Sequence, residues 1–171
     1  MRNMHERRDF LKRLGGLGAI TALLTPMAAL ALEKRFTKTK AEWLGLISQP
    51  QYDVLFNEAT ERAFSSPLNK ENRAGVYVCA ACMQPLFLST QKYDSGTGWP
   101  SFYDVMPNAI GTQRDFKLLL PRTEYHCNNC GGHQGHVFDD GPKPTGKRYC
   151  NNGLALAFFT AGSQLPPVRT S

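Results

Sequence analysis

The sequence lacks the features that would place it in several specialised classes of protein. It has no internal repeat, and its 171 residues are too few for a complete (β/α)₈ barrel. Charged residues make up only 20% of the chain and hydrophobic residues 42%, a composition typical of a globular domain and not of a disordered one. Its 15 glycines and 11 prolines interrupt the chain too often for a protein built of long helices alone.

A strong excess of positive charge is also missing once the N-terminus is set aside. The whole chain has a net charge of +6, but its first 31 residues contain five basic and only two acidic residues. Without them, 15 basic and 12 acidic residues remain, a net charge of +3. So small a charge is no footprint for a phosphate backbone, and nucleic acid is not expected as a partner.

The first 31 residues have the features of an export signal. Arg7 and Arg8 precede a mildly apolar run, an arrangement that resembles the twin-arginine signal. The run ends at residues 29–31, Ala-Leu-Ala, which fit a small-x-small cleavage site. We therefore expect residues 1–31 to be a cleaved twin-arginine signal peptide that engages the twin-arginine export machinery. The mature protein is then periplasmic or otherwise exported.

An uncleaved membrane anchor is the alternative for this segment, because its apolar run has about the length of a spanning helix. Pro26 and the glycines of the run make it a weak anchor, so the cleaved signal is favoured.

Residues 32–171 are predicted to form one mainly β domain. Thr39 can cap a short helix, and Pro50 suits the first turn of a second. Short β-branched or aromatic runs then predict strands at residues 76–78, 85–88, 116–120, 123–126, 136–138 and 154–159. We expect two N-terminal helices laid on an antiparallel β domain. The tail at residues 161–171, which includes Pro166 and Pro167, is expected to fray.

Four of the five cysteines form two Cys-x-x-Cys pairs, namely Cys79, Cys82, Cys127 and Cys130. A turn with two residues between thiolates directs both sulfurs at one metal ion, and two such turns complete a tetrahedral S₄ site. One structural zinc per chain is therefore the favoured interpretation. Two disulfides are the alternative in an oxidising compartment, although export in the folded state would allow zinc to be loaded in the reducing cytoplasm. A thioredoxin-like redox pair is less favoured, because no βαβ pattern surrounds either pair.

The fifth cysteine, Cys150, has no cysteine partner left. Alone it would be read as a small buried hydrophobe, with a reactive thiol as the alternative. Arg148 favours a thiolate, and His133 and His136 can supply protons near neutral pH. Each of these residues alone is more often a surface or loop residue, and only their combination favours catalysis.

Six segments of the sequence stand in the order found in the B class of methionine sulfoxide reductases, which the chain resembles; they are residues 75–82, 93–102, 122–124, 135–138, 140–142 and 145–150. The resemblance covers most of residues 40–159. It implies a fold of two antiparallel sheets in a tent-like arrangement, with N-terminal helices and a zinc site away from the active site. It also implies reduction of methionine-R-sulfoxide in peptides or proteins, with a thioredoxin-like protein or a small thiol as the external reductant.

The resemblance implies a role for each candidate residue. Cys150 corresponds to the nucleophile. Trp99 corresponds to the aromatic wall that holds the substrate methyl group, although a core tryptophan is the alternative. His133 and His136 correspond to the histidines that bind and protonate the sulfoxide oxygen. The remaining matches are a carboxylate near the histidines, which could be only a turn residue, and two residues that flank the nucleophile: Asp140, Arg148 and Asn152.

The sequence departs from the family pattern at Thr97, where many relatives carry a resolving cysteine. Turnover is therefore expected to leave a sulfenic acid on Cys150 that an external thiol reduces. Asn151 and Gly153 also differ from the usual residues beside Asn152. The alternative function is a non-catalytic zinc-binding module of the same fold that recognises a protein partner. The presence of Trp99, His136 and Cys150 together argues against it.

Overall fold

The described part of the chain is mainly β, with its α-helices at the N-terminal end. Residues 38–118 and 120–169 are described by the computed structural model. Within these two ranges, no helix is both long enough and apolar enough to cross a membrane. The signal peptide that the sequence predicts lies outside the described residues.

Capping residues set the start of both helices. Helix α1 (Lys40–Leu44) follows Thr39, whose backbone N–H donates to the Glu42 carboxylate at 2.7 Å. Helix α2 (Gln49–Asn57) follows Ser48, whose backbone N–H donates to the side-chain oxygen of Gln51 at 3.1 Å. This helix also has a proline in its first turn. Such caps satisfy N–H groups that a helix leaves unpaired at its start. Both predicted helices are confirmed.

Nine strands of the described chain form two antiparallel sheets. They are β1 (Gly75–Cys79), β2 (Pro85–Leu88), β3 (Lys92–Tyr93), β4 (Ser101–Phe102), β5 (Ile110–Asp115), β6 (Arg122–Cys127), β7 (His133–Phe138), β8 (Arg148–Asn151) and β9 (Leu156–Thr160). The small sheet has the order β2-β1-β9, and the large sheet has the order β3-β4-β8-β7-β6-β5. The predicted fold class, mainly β with two antiparallel sheets and short N-terminal helices, is confirmed.

The strand predicted at residues 116–120 is wrong. Strand β5 ends at Asp115, and Phe116, Leu118 and Leu120 lie beyond it with 71%, 58% and 76% of their surfaces exposed. The strand that does form here, β5, is mostly polar and pairs only with β6 at the edge of the large sheet. Three consecutive residues of β5, Thr112, Gln113 and Arg114, are exposed, so both faces of the strand meet solvent there and it lacks the hydrophobic pattern on which the prediction relied.

One hydrophobic core joins both sheets and helix α2. Phe87 of the small sheet stacks on Phe102 of the large sheet, with ring centroids 4.1 Å apart. Tyr77 meets the same ring edge-on at 5.0 Å, and Leu55 of α2 is buried in the same cluster. Burial of an aromatic side chain such as Phe87 stabilises the fold by about 1.5–3 kcal/mol. This packing fixes the sheets against each other.

The C-terminal segment returns to the two Cys-x-x-Cys turns. The backbone N–H of Arg169 donates to the Cys82 carbonyl oxygen, and its guanidinium donates to the Ala81 carbonyl oxygen, both at 2.8 Å. The Arg169 carbonyl oxygen accepts a hydrogen bond from the side chain of Asn129 at 2.9 Å. The sequence predicts a frayed tail, but these contacts hold residue 169 in place. The backbone and the side chain of Arg169 make these contacts, and no local pattern in the sequence predicts them.

Candidate active site and metal site

The two Cys-x-x-Cys turns lie at the ends of two hairpins, one in each sheet. They repeat one backbone pattern. The N–H of Met83 donates to the Cys79 carbonyl oxygen and the N–H of Gly131 donates to that of Cys127, both at 2.9 Å. Met83 and Gly131 have left-handed backbones, with φ of 63° and 72°. Glycine adopts this conformation freely, whereas Met83 bears about 1–2 kcal/mol of strain to complete the first turn.

The four sulfur atoms of these turns form one buried cluster that fits a metal ion. All four lie within 4.8 Å of one another. The closest pairs are Cys79–Cys130 at 3.6 Å and Cys82–Cys127 at 3.5 Å. These distances are far longer than the S–S bond of about 2.05 Å, and the cysteines are free. They approach the roughly 3.8 Å between thiolates bound tetrahedrally at about 2.3 Å from one zinc ion. The donor set and its spacing thus fit the predicted metal site.

Cys150 lies on β8 inside the large sheet, between β4 and β7. Its Cα partners are Ser101 on one side and His136 on the other. Its side chain lines a cavity of about 200 Å³. Four of the other predicted site residues also line it, namely Trp99, His136, Arg148 and Asn152. The sheet therefore brings most of the predicted site together.

Opposing effects act on the thiol of Cys150. Burial raises its pKa above the ordinary value and is the larger effect, while the positive charge of Arg148 lowers it. Arg148 is itself held by Asp140 through two hydrogen bonds of 2.8 Å. The group is therefore mainly a thiol at neutral pH. The sequence correctly indicates that Arg148 favours the thiolate, but it does not reveal the burial that outweighs it.

His136 is held by a carboxylate that the sequence analysis does not identify. Its Nε2 atom lies 2.7 Å from Oδ2 of Asp115, which also accepts a hydrogen bond from Arg122 at 2.6 Å. Burial lowers the pKa of His136, and the hydrogen bond with Asp115 opposes that shift. Because His136 is the cross-strand neighbour of Cys150, an imidazole stands directly beside the thiol.

His133 is buried and is not one of the residues that line the cavity. Its Nδ1 atom lies 2.8 Å from Oε1 of Glu124, and its ring meets the ring of His136 at 5.5 Å. Burial opposes ionisation of Glu124, but hydrogen bonds with His126 and His133 lower its pKa overall. Of the two predicted histidines, the structure therefore places only His136 on the cavity wall, with His133 packed against it.

Asp140 pairs with Arg148 and not with a histidine. Its side chain is 62% exposed, and both of its carboxylate oxygens accept from the guanidinium. The carboxylates that hydrogen-bond to His136 and His133 are Asp115 and Glu124. The expected role of Asp140 near the histidines stays a prediction, but its hydrogen bonds go to Arg148. Strand pairing is the reason, because Arg148 lies opposite the end of β7 and reaches the turn that begins there.

Glu61 is a second residue that the sequence analysis misses. Its carbonyl oxygen accepts the indole N–H of Trp99 at 3.2 Å, and its backbone N–H donates to Oδ1 of Asn152 at 3.1 Å. The Asn152 amide then donates to the Gln134 carbonyl oxygen at 3.1 Å. Asn152 is thus fully engaged in holding the cavity wall, and Trp99 is a half-buried wall residue and not a core tryptophan.

Comparison with known proteins identifies the family. The SelR domain family matches residues 47–160, a range that includes all five cysteines and the cavity residues described above. The chain belongs to the SelR family. A peptide methionine sulfoxide reductase MsrB from Methanosarcina barkeri is 48% identical over 129 residues, which cover 75% of this chain and 91% of that protein. One from Agrobacterium fabrum is 47% identical over 125 residues, covering 72% of this chain and 93% of that protein. One from Leptospira interrogans is 48% identical over 122 residues, covering 71% and 93% respectively.

Proposed function

We propose that this chain reduces methionine-R-sulfoxide in peptides or proteins to methionine, with Cys150 as the nucleophile. The observation that carries the proposal is that Cys150, His136 and Trp99 line one cavity. The names of the relatives support the same reaction class. The cavity, of about 200 Å³, suits a single side chain, so a polypeptide would insert only its oxidised methionine.

The reaction requires a thiolate and a proton. His136 donates the proton to the sulfoxide oxygen, because an unprotonated oxygen is a poor leaving group. The Cys150 thiolate attacks the sulfoxide sulfur, and the protonated oxygen passes to the cysteine. The substrate sulfur gains two electrons and leaves as the thioether, while the cysteine sulfur loses two and becomes a sulfenic acid. Arg148 stabilises the thiolate, and Trp99 provides the apolar wall for the methyl group.

The sulfenic acid is recycled by an external reductant. Thr97 offers no thiol, so two equivalents of an external thiol regenerate Cys150 and leave one disulfide and one water. A thioredoxin-like protein or a small thiol could supply these two equivalents.

The metal at the four-cysteine site is, in this proposal, one structural zinc held by Cys79, Cys82, Cys127 and Cys130. It would join the two hairpins and contribute to folding stability. These cysteines do not line the cavity, so no step of the reaction passes through them.

Export through the twin-arginine route to the periplasm, with repair of oxidised exported proteins there, is also part of the proposal. Arg7 and Arg8 support it. Replacement of both by lysine should leave the unprocessed precursor in the cytoplasm. Normal export and processing of the double variant would contradict this route. Wild-type protein of full-length mass in the membrane fraction would instead favour the anchor.

The decisive experiment is an assay of the zinc-loaded protein on separate R and S sulfoxide epimers with an excess of thiol. We expect turnover of the R epimer only, and none with Cys150→Ser, whose zinc content and thermal midpoint should match those of the wild type. If the zinc-loaded wild type turns over neither epimer, the chain is not a reductase, and a non-catalytic zinc-binding module becomes the better explanation.

A further inference from the structure

An ion pair that the proposed reaction does not use lies beside His136, the proposed proton donor. Asp115 and Arg122 are Cα partners at the end of the β5–β6 ladder, and their side chains meet at 2.6 Å. Arg122 lines the cavity, and the Asp115 side chain is only 9% exposed. The same Asp115 oxygen that binds Arg122 also binds Nε2 of His136 at 2.7 Å. The three side chains therefore form one connected group, of which His136 and Arg122 line the cavity.

The bonds of Asp115 determine which nitrogen of His136 carries a proton. Its other oxygen, Oδ1, accepts the backbone N–H of Lys117 at 2.8 Å. That bond, followed by the one with His136, holds the pKa of the Asp115 carboxyl well below its usual range. An ionised carboxylate only accepts hydrogen bonds, so Nε2 of His136 must be the donor. The neutral ring is then the Nε2–H tautomer, and the additional proton of the imidazolium must reside on Nδ1.

We propose that Asp115 and Arg122 are positioning residues for His136. Asp115 fixes the ring orientation and the Nε2–H tautomer, so that Nδ1 carries the proton that is transferred. Arg122 holds Asp115 in place and, by its positive charge, keeps that carboxylate from retaining the imidazolium proton too strongly. This role rests on the proposed function, in which His136 protonates the sulfoxide.

Other charged or titratable groups of the described residues also face His136. They are Glu124 and Cys150 on the neighbouring strands, Arg148 in the cavity, and His133 on its own strand. Burial lowers the pKa of His136, the hydrogen bond with Asp115 raises it, and the positive charge of Arg122 lowers it. Removal of Asp115 and removal of Arg122 should therefore shift the pKa of His136 in opposite directions. A purely structural role would not produce opposite shifts.

The test measures His136 itself by nitrogen NMR of the imidazole ring in the zinc-loaded protein. We expect Nε2–H in the neutral wild-type ring, a lower pKa of His136 in Asp115→Asn, and a higher one in Arg122→Gln. Asp139→Asn is the matched control, because it removes one carboxylate charge from the exposed ion pair with Lys147. This control variant should leave the pKa of His136 unchanged. An Nδ1–H tautomer in the wild type, or shifts of the same sign in both variants, would overturn the proposal.

The pH profile of kcat/KM for a small R-sulfoxide provides the second measurement. Because the pKa of His136 is lowered and that of Cys150 is raised, the form with imidazolium and thiolate is a minor one. Its share is constant between the two pKa values and falls outside them. In Asp115→Asn the lower limb should move to lower pH, and the plateau should fall about tenfold for each pH unit moved.

The two measurements separate this inference from the proposed function. An inactive wild type whose variants show the expected opposite NMR shifts would refute the reductase function and leave the contact established. If the wild type is active but the variants keep its His136 pKa and its pH profile, the positioning role alone would be refuted.

Discussion

Oγ1 of Thr97 lies 4.0 Å from the sulfur atom of Cys150. By the sequence resemblance, Thr97 corresponds to the position where many B-class reductases carry a resolving thiol. Its hydroxyl lies beside Cys150 but cannot form a disulfide with it. The four remaining cysteines are held in the buried cluster and do not line the cavity.

The first prediction follows from this arrangement. One turnover without reductant should consume one thiol, add one oxygen at Cys150 and release no metal. Intact mass and thiol counting under metal-retaining conditions measure all three. Loss of two thiols, with a disulfide between Cys150 and one of the other four cysteines, would show that the metal site takes part in recycling.

The second prediction restores the missing resolving thiol. Thr97→Cys places a sulfur near the 4.0 Å position, from which a side-chain rotation can reach disulfide geometry. After one turnover this variant should lose two thiols, contain an internal disulfide at Cys150 and fail to react with a sulfenic acid trap. Thr97→Ser is the control and should trap like the wild type. A sulfenic acid that persists in Thr97→Cys would mean that the loop cannot bring the two sulfurs together.

Sequence reasoning succeeds at this site where the chemistry depends on local spacing. Two residues between cysteines fix the geometry of a turn, so Cys79 with Cys82 could be identified as a ligand pair without any tertiary information. Cys150 and Trp99 stand in distinctive motifs, which identify them. The same reasoning misses Asp115 and Glu61, because their partners lie 21 and 91 residues away. No periodicity in a sequence encodes such a contact.

Burial is the other quantity that the sequence does not supply. The apolar run at Phe116–Leu120 predicts a buried strand, but its described members lie on an exposed connection beyond β5. Likewise, the charge of Arg148 predicts a low pKa for the Cys150 thiol, but desolvation in the sheet outweighs that charge. Which effect wins depends on how the surrounding chain packs, and only the folded structure reveals that.

The third prediction concerns the pKa of Cys150. Burial raises it, the charge of Arg148 lowers it, and the charge of Asp140 raises it. Arg148→Gln should therefore raise the pKa further, and Asp140→Asn should lower it. Below the pKa, each unit of increase reduces the thiolate fraction about tenfold. The rate of iodoacetamide alkylation at Cys150 against pH, mapped by mass, measures the shift, and Asp139→Asn is the control. Shifts of one sign in both charge variants would show that packing and not charge controls the thiol.

The fourth prediction tests the metal site. Cys127→Ser should release zinc and lower the thermal midpoint, because the metal joins two hairpins that belong to different sheets. Structural zinc binds with about 10–16 kcal/mol in small zinc domains, so its loss should exceed the effect of a single core truncation. Cys150→Ser is the matched control and should retain both zinc and stability. Native protein that contains no zinc, with disulfides within the cluster, would contradict the assignment.

The fifth prediction concerns the C-terminal segment, which contacts both cysteine turns through Arg169. Its hydrogen bonds to Ala81 and Cys82 hold the first turn, and the bond from Asn129 holds the second. A net hydrogen bond contributes about 0.5–1.5 kcal/mol, so each one lost should speed metal release to a chelator by about 2- to 10-fold.

Arg169→Ala removes only the guanidinium contact, whereas truncation after Ser163 removes all three. The release rate should therefore rise in the order wild type, Arg169→Ala, truncation. Arg114→Ala, which removes an exposed arginine from β5, should release zinc like the wild type. If truncation leaves the rate unchanged, the tail lies on the metal site without restraining it, and the two turns alone determine how long the metal is held.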